Sequence, residues 1–389
     1  MRIPGFTSTG SKRPDALYGF GAPRGLPVKL SHAEGAFIWD VEGRRYLDFI
    51  MGLGAVALGY GHPAVATAAK AAIDAGVVGP IAPESEELLA EELAGVIPML
   101  ERCRFLKTGA EAAAAAVRLA RAHTGRDVVL RCGYHGWLDW SQSPGSSGVP
   151  AAVTALSDIL PFNDPEAGRA LIRGCGDRLA AVVVEPVVEQ APSREWLEML
   201  RQETLRVGAV LVFDEIKTAF RIAPGGATER YGVLPDLMVL GKAIANGFPL
   251  AVVGGQRAVM ERARQVWISS TLATEMVSLA AARATVTVMV RQSVPGHLQR
   301  VGQPWWDGLA RLAARHPAVV AGVAGIPQMC FLRFAGEAAG AEVARAAAER
   351  GLLFKRSAYN FVSLAHTPEL VQGALEVLDE ACAHAAGRV

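Results

Sequence analysis

The feature that most constrains this chain is a series of short, uniformly apolar runs with helix-like segments between them. Leu179–Val184 (LAAVVV) and Ala209–Phe213 (AVLVF) are the clearest, and Leu237–Leu240 and Leu250–Val253 continue the series. A strand with one wet face alternates apolar and polar residues. These runs do not alternate, so both of their faces must be covered. Strands of this kind separated by helices predict an α/β fold with a mostly parallel central sheet. Ligands of such sheets bind beyond the carboxyl ends of the strands. The residues that follow each strand are therefore where chemistry is expected.

The remaining segments fit around that sheet. Near the N-terminus, Ala36–Asp40 and Arg45–Phe49 read as strands around the polar turn 41–44, which contains Gly43. Ser85–Val96 reads as a helix with acidic residues in its first turn. Arg104–Leu106 and Asp127–Arg131 read as strands, with the Ala-rich helix Glu111–Thr124 between them, and Trp196–Val207 as a further helix. After about residue 285 the texture changes. Gly322–Phe334 and Leu352–Leu364 carry strand-like pieces, flanked by the helices Ala339–Arg350 and Pro368–Ala386. The expected organisation is a large domain over 51–285 and a smaller α+β domain over 286–389, which the N-terminal segment 1–50 joins.

Composition excludes several functions. A chain of 389 residues with 51% hydrophobic and 20% charged residues can build a sizeable core. A formal net charge of +1 gives no reason to expect nucleic acid or an anionic membrane as a partner. The apolar tracts Ala112–Ala122 and Val277–Val290 are interrupted by polar or charged residues and too short to span a bilayer. The first fifteen residues lack the apolar stretch of a signal peptide. The cysteines Cys103, Cys132, Cys175, Cys330 and Cys382 are odd in number and form no CxxC pair, which predicts free thiols, no metal site and a cytoplasmic location.

Only seven of the thirty-nine basic residues are lysines, so each can be weighed. Lys242 follows the apolar run Leu237–Leu240 directly, between Gly241 and Ala243. An amine desolvated at a strand end loses proton affinity and becomes a nucleophile able to form a Schiff base, although strand-end lysines at the surface are also common. Asp214 closes the run before it, and a carboxylate there needs a partner. A protonated pyridine nitrogen is one such partner, and a helix cap or a structural ion pair is the bland alternative. Thr108-Gly109-Ala110 leads from a strand into a helix, whose free N–H groups suit a phosphate. In Tyr134-His135-Gly136-Trp137, Tyr134 could stack on a flat ring, or the aromatic pair could simply be core. An amine, a carboxylate, a phosphate cradle and a stacking aromatic after successive strands together point to pyridoxal 5'-phosphate (PLP).

At these residues the sequence resembles the class III aminotransferases, PLP enzymes of fold type I, and in particular their branch containing glutamate-1-semialdehyde aminomutase. The resemblance runs from Phe37-Ile38-Trp39-Asp40 to Ser363-Leu364-Ala365-His366. It is most specific in 213–221, Asp214-Glu215-Ile216-Lys217 included, and in Gly241-Lys242-Ala243, with Asp and Lys 28 positions apart (242 − 214). It implies Lys242 as the Schiff-base lysine, Asp214 on the ring nitrogen, and Ile216 and Tyr134 on the two ring faces. It implies Gly109 and Ala110 as amide donors to the phosphate, with Thr108 able to add a hydroxyl. It places the acidic Glu185 near the cofactor, and Thr271, in Ser269-Ser270-Thr271, on the phosphate of the neighbouring subunit. A homodimer acting on small amine and carbonyl substrates follows.

The chain also departs from the family pattern. Ala110 stands where a hydroxyl residue is usual, Lys217 where Met or Gln is usual, and Ser357–Val362 lacks the aminomutase's glutamate. The last departure places aminotransferase, working by a ping-pong cycle, ahead of intramolecular aminomutase or racemase. A PLP-fold protein without catalysis is disfavoured because Lys242 and Asp214 are both present.

Overall fold

In this computed structural model the described residues are 2–21 and 25–388. They fall into two compact units, one made of 1–62 with 296–389 and the other of 63–295. The boundaries lie beyond the sequence-based 50/51 and 285/286. The helix Met276–Arg291 packs on the helix Pro63–Asp74, which keeps the chain in the larger unit until that helix is complete.

The chain makes fourteen strands among the described residues. The first three are β1 (Leu30–Glu34), β2 (Phe37–Asp40) and β3 (Arg45–Asp48). Seven follow in the larger unit: β4 (Arg102–Leu106), β5 (Val128–Cys132), β6 (Ser157–Ile159), β7 (Leu179–Val184), β8 (Val210–Asp214), β9 (Leu237–Leu240) and β10 (Ala251–Gly255). The last four are β11 (Val320–Ile326), β12 (Met329–Phe334), β13 (Leu352–Leu353) and β14 (Asn360–Phe361).

The seven strands form one sheet in the order β4-β10-β9-β8-β7-β5-β6. All pairs are parallel except those of β10, which runs antiparallel to both β9 and β4. Only a short 3-10 turn and a loop separate β9 from β10, too little chain for a parallel crossover helix. Because β10 reverses twice, β4 runs in the direction of β9. The carboxyl ends of β4, β5, β7, β8 and β9 therefore share one edge of the sheet.

The apolar runs are buried as their lack of alternation requires. Val129, Ala181, Val183, Val210, Val212 and Val239 enter one core layer, which the helix Gly109–Thr124 covers with its alanine face. Leu130, Val182, Val184, Leu211 and Phe213 enter the other, under Trp196, Leu197 and Leu200 of the helix Arg194–Val207. Small alanines let the first helix lie close on the sheet, and its N-terminus comes to the shared edge.

The other unit has two small sheets, β1-β2-β3-β13 and β11-β12-β14. The stretch 352–364 yields the two-residue strands β13 and β14, the strand-like pieces its pattern predicts. Asn360, the first residue of β14, ties back to Lys355. Its side chain accepts from the Lys355 N–H at 2.6 Å and donates to the Lys355 carbonyl at 2.9 Å, taking groups that a ladder would have used.

Candidate active site

Five strand ends deliver the candidate residues to the shared edge. After β4, Thr108 caps the helix Gly109–Thr124 by a capping box with Glu111. The Thr108 hydroxyl accepts from the Glu111 N–H at 3.2 Å and meets the Glu111 carboxylate at 3.1 Å, so capping engages it. Gly109 and Ala110 open the helix, where N–H groups have no helix carbonyl to bond. These two amides, with the positive end of a helix of 16 residues behind them, are the candidate phosphate-binding element. Gly109 lets Ile216 approach closely, since a Cβ there would fall 2.4 Å from Ile216 Cδ1 and the side chain would have to shift.

After β5, the loop Gly133–Trp137 folds back onto that element. A Cβ on Gly136, whose φ is +96°, would fall 2.4 Å from the Ala110 methyl. The Tyr134 N–H donates to Glu185 Oε2 at 3.0 Å, while its ring is exposed. His135 is buried, and its Nδ1 lies 2.8 Å from Asp214 Oδ2. A carboxylate only accepts, so Nδ1 carries the proton and His135 donates. His135 Nε2 is buried and has no hydrogen-bond partner among the described residues.

Asp214 and Glu215, adjacent at the end of β8, are both buried and do different work. Asp214 accepts from His135 and, through Oδ1, from the Ile216 N–H at 3.2 Å. Glu215 is turned to structure. It accepts from the N–H groups of Ala227 and Thr228, each at 2.9 Å, and from the Thr218 hydroxyl. Burial raises its carboxyl above the ordinary range and these bonds only partly offset that. Ile216 packs on the core layer beneath the Gly109 helix.

The three lysines near these loops differ in their partners. Lys107 Nζ lies 2.7 Å from Glu275 Oε1, and Lys217 Nζ lies 3.0 Å from Glu185 Oε1. Among the described residues no carboxylate pairs with Lys242. Its backbone is left-handed, with φ +47°, an uncommon and strained conformation for a residue with a side chain. Burial, and then the nearby Lys217 charge, bring its ammonium down from the usual 10.5 to about 8. The neutral amine is then present at roughly a tenth at pH 7, against far less than a hundredth for an ordinary lysine.

Thr271 stands apart from this group. It is exposed in the turn before the helix Met276–Arg291, and its hydroxyl makes no hydrogen bond among the described residues. Glu275, not Thr271, caps that helix, accepting from the N–H groups of Val277 and Ser278. Sequence reading singled out Tyr134 in its loop and passed over His135, the residue that holds Asp214. It also missed the Lys107–Glu275 tie between two site loops.

The sequence pattern of the family described as Aminotransferase class-III matches residues 21–381. The chain belongs to the class III aminotransferases. Among its relatives is a glutamate-1-semialdehyde 2,1-aminomutase of Neisseria gonorrhoeae, 34% identical over 397 residues, covering 93% of this chain and 92% of the relative. Another, from Pyrobaculum calidifontis, is 34% identical over 388 residues, covering 91% and 88%. The FumI protein of Sphingopyxis sp. MTA144, solved in its PLP internal aldimine form, superposes with a TM-score of 0.91 at 27% identity, over 98% of this chain and 93% of that one. A glutamate-1-semialdehyde aminomutase of Pseudomonas aeruginosa superposes with a TM-score of 0.81 at 26% identity, over 92% and 88%. The fold is that of the fold-type I PLP transferases, and PLP is the cofactor.

The residues at this edge fit that cofactor. PLP has three polar ends: an aldehyde, a pyridine nitrogen and a phosphate. The edge offers an unpaired amine with lowered proton affinity, a buried carboxylate, and the open N–H groups of a helix start. No described helix is long and apolar enough to cross a membrane.

Proposed function

We propose that the protein is an aminotransferase that moves an amino group from an amine or amino acid donor to a carbonyl acceptor in two half-reactions. Lys242 would hold the cofactor through Nζ and, as a free amine, would take and return a proton at the substrate's amine-bearing carbon. Bound PLP supplies an electron-withdrawing ring that accepts the electron pair released at that carbon. Asp214 holds the ring nitrogen in its protonated form, and His135 keeps the Asp214 carboxylate oriented. The Gly109 and Ala110 amides hold the phosphate, while Ile216 and Tyr134 flank the ring. Thr271 serves the phosphate of a partner subunit in a homodimer. Exposed apolar side chains on the larger unit support pairing: Ile81, Trp137 and Trp267 are 82%, 75% and 84% exposed.

The observation that carries this reading is the strand-end pair of Lys242, without a carboxylate partner, and Asp214, held by His135. The 34% identity to glutamate-1-semialdehyde 2,1-aminomutases favours a second reading, an intramolecular aminomutase using the same residues. The segment Ser357–Val362, without a glutamate, is the reason to place transamination first. The two separate on stoichiometry. A panel of amines added to the purified holoenzyme should convert its absorbance to that of the aminated cofactor, and a keto acid should restore it. Turnover of glutamate-1-semialdehyde alone, with no second partner consumed, would establish the aminomutase instead.

A further inference from the structure

Of the side chains assigned above to the two ring faces, Tyr134 is the one least fixed by packing. It is 71% exposed, so the place of its ring is set by the backbone that carries it. That backbone is pinned at four successive residues. Gly133, at φ +100°, lies so close to Glu185 that a Cβ would fall 2.6 Å from Oε2 and 2.8 Å from the Glu185 Cβ and Cγ. The Tyr134 N–H donates to Glu185 Oε2 at 3.0 Å. His135 donates to Asp214 Oδ2 at 2.8 Å, and Gly136 rests on the Ala110 methyl.

Two of these four anchors are one side chain, Glu185. Its main chain is fixed by the bond from its N–H to the Cys132 carbonyl at 2.9 Å, at the end of the β5–β7 ladder. Its carboxylate is buried, and both oxygens have partners. Oε2 takes the Tyr134 N–H, and Oε1 lies 3.0 Å from Lys217 Nζ, the two side chains being 6% and 11% exposed. A buried ion pair is a poor way to gain stability, because desolvation of two charges offsets most of their attraction. What it can supply instead is one fixed orientation. A carboxylate accepts on both oxygens, so one side chain can meet a buried ammonium on one side and a loop N–H on the other.

We propose that Lys217 and Glu185 are positioning residues for Tyr134. Lys217 fixes the Glu185 carboxylate, Glu185 fixes the backbone of the loop, and the pair thereby sets where the Tyr134 ring lies against the cofactor. This rests on the reading that Tyr134 flanks the cofactor ring. Neither member of the pair needs to touch the cofactor to act in this way.

The test is a double-mutant cycle read on how fast PLP leaves the holoenzyme, followed by its absorbance as an excess of a second PLP-binding protein takes it up. Tyr134→Ala should speed release, because the ring face is lost. Lys217→Met keeps the length of the side chain and leaves Glu185 without its ion-pair partner. It should speed release about 10-fold when the Tyr134 ring is present and less than about 3-fold in the Tyr134→Ala background. Lys217→Arg should release PLP near the wild-type rate. Glu185→Gln has one acceptor oxygen for two donors and should show the same dependence on the Tyr134 ring. Should the Met variant not fold, the Gln variant decides. Equal fold-changes with and without the ring would mean that the pair acts on the cofactor directly or on the fold at large, and would overturn the proposal. An Arg variant that behaves like Met overturns it as well. If Tyr134→Ala alone releases PLP at the wild-type rate, the ring does not flank the cofactor, and the underlying reading falls together with this proposal. Faster release from Tyr134→Ala with an additive cycle removes this proposal alone.

Discussion

Asp214 is 2% exposed and keeps its place through two donors, the His135 Nδ1–H and the Ile216 N–H. Replacing Asp214 by Asn removes the charge that would keep a ring nitrogen protonated while leaving the shape. Asp214→Asn should still bind the cofactor and should slow proton removal from the substrate about 100-fold or more, read in single-turnover absorbance traces. A variant as fast as wild type would remove the ring-nitrogen role. His135→Phe leaves the Asp214 carboxylate buried with one donor fewer. It should lower the same rate roughly 10-fold, since losing one buried hydrogen bond costs about 1–3 kcal/mol. Unchanged kinetics in this variant would make His135 a packing residue only. At this scale the sequence reveals Lys242 and Asp214, because each follows an apolar run that announces a buried strand. It does not reveal His135, whose partner is 79 residues away, nor the Glu185–Lys217 pair, because such contacts exist only once the strand order is set.

At the scale of elements, the helix Gly109–Thr124 is the part that local chemistry specifies best. Thr108 and Glu111 form its cap, Gly125 ends it in a left-handed turn, and alanines line its buried face. The loop before it is tied to the start of the helix Met276–Arg291 by Lys107 and Glu275, 13% and 11% exposed. Burial alone would raise the Glu275 carboxyl, but hydrogen bonds from Lys107 and Ser278 outweigh it and leave it below the ordinary 4.5. A depressed folded-state value contributes stability that is present above pH 4.5 and lost as pH falls through the folded value. Lys107→Met should therefore lower thermal stability by about 1–3 kcal/mol at pH 7, and the gap to wild type should narrow in acid. A gap that is constant with pH would mean the loss comes from packing and not from the pair. The sequence did not reveal β1 and β6, which are mostly exposed and carry no apolar run, nor that Asn360 would take the Lys355 backbone groups. An apolar pattern records burial and is blind to which hydrogen-bond partner wins.

At the scale of the whole molecule, one chain leaves its candidate residues in two places. Lys242, Asp214, Glu185, Ile216, Gly109 and Ala110 converge on one sheet edge, while Thr271 sits exposed with no hydrogen bond for its hydroxyl among the described residues. Leu272 beside it and Trp267 ahead of it are exposed as well. A polar group with no work in its own subunit, set among exposed apolar side chains, suits a surface completed by a second copy. Sequence resemblance implied this role, and no local pattern could, because a residue that acts across an interface has no partner in its own chain to betray it. Mixing subunits tests it. Lys242→Ala and Thr271→Ala proteins, each impaired alone, are unfolded and refolded together or co-expressed. If Thr271 reaches the partner's site, each heterodimer has one site with both lesions and one with neither, and activity rises above that of either parent. If Thr271 acts within its own subunit, every heterodimer site carries one lesion and no intact site forms. Absence of recovery in verified heterodimers, or a fully active monomer at working concentration, would remove the cross-subunit role and leave Gly109 and Ala110 as the phosphate's donors.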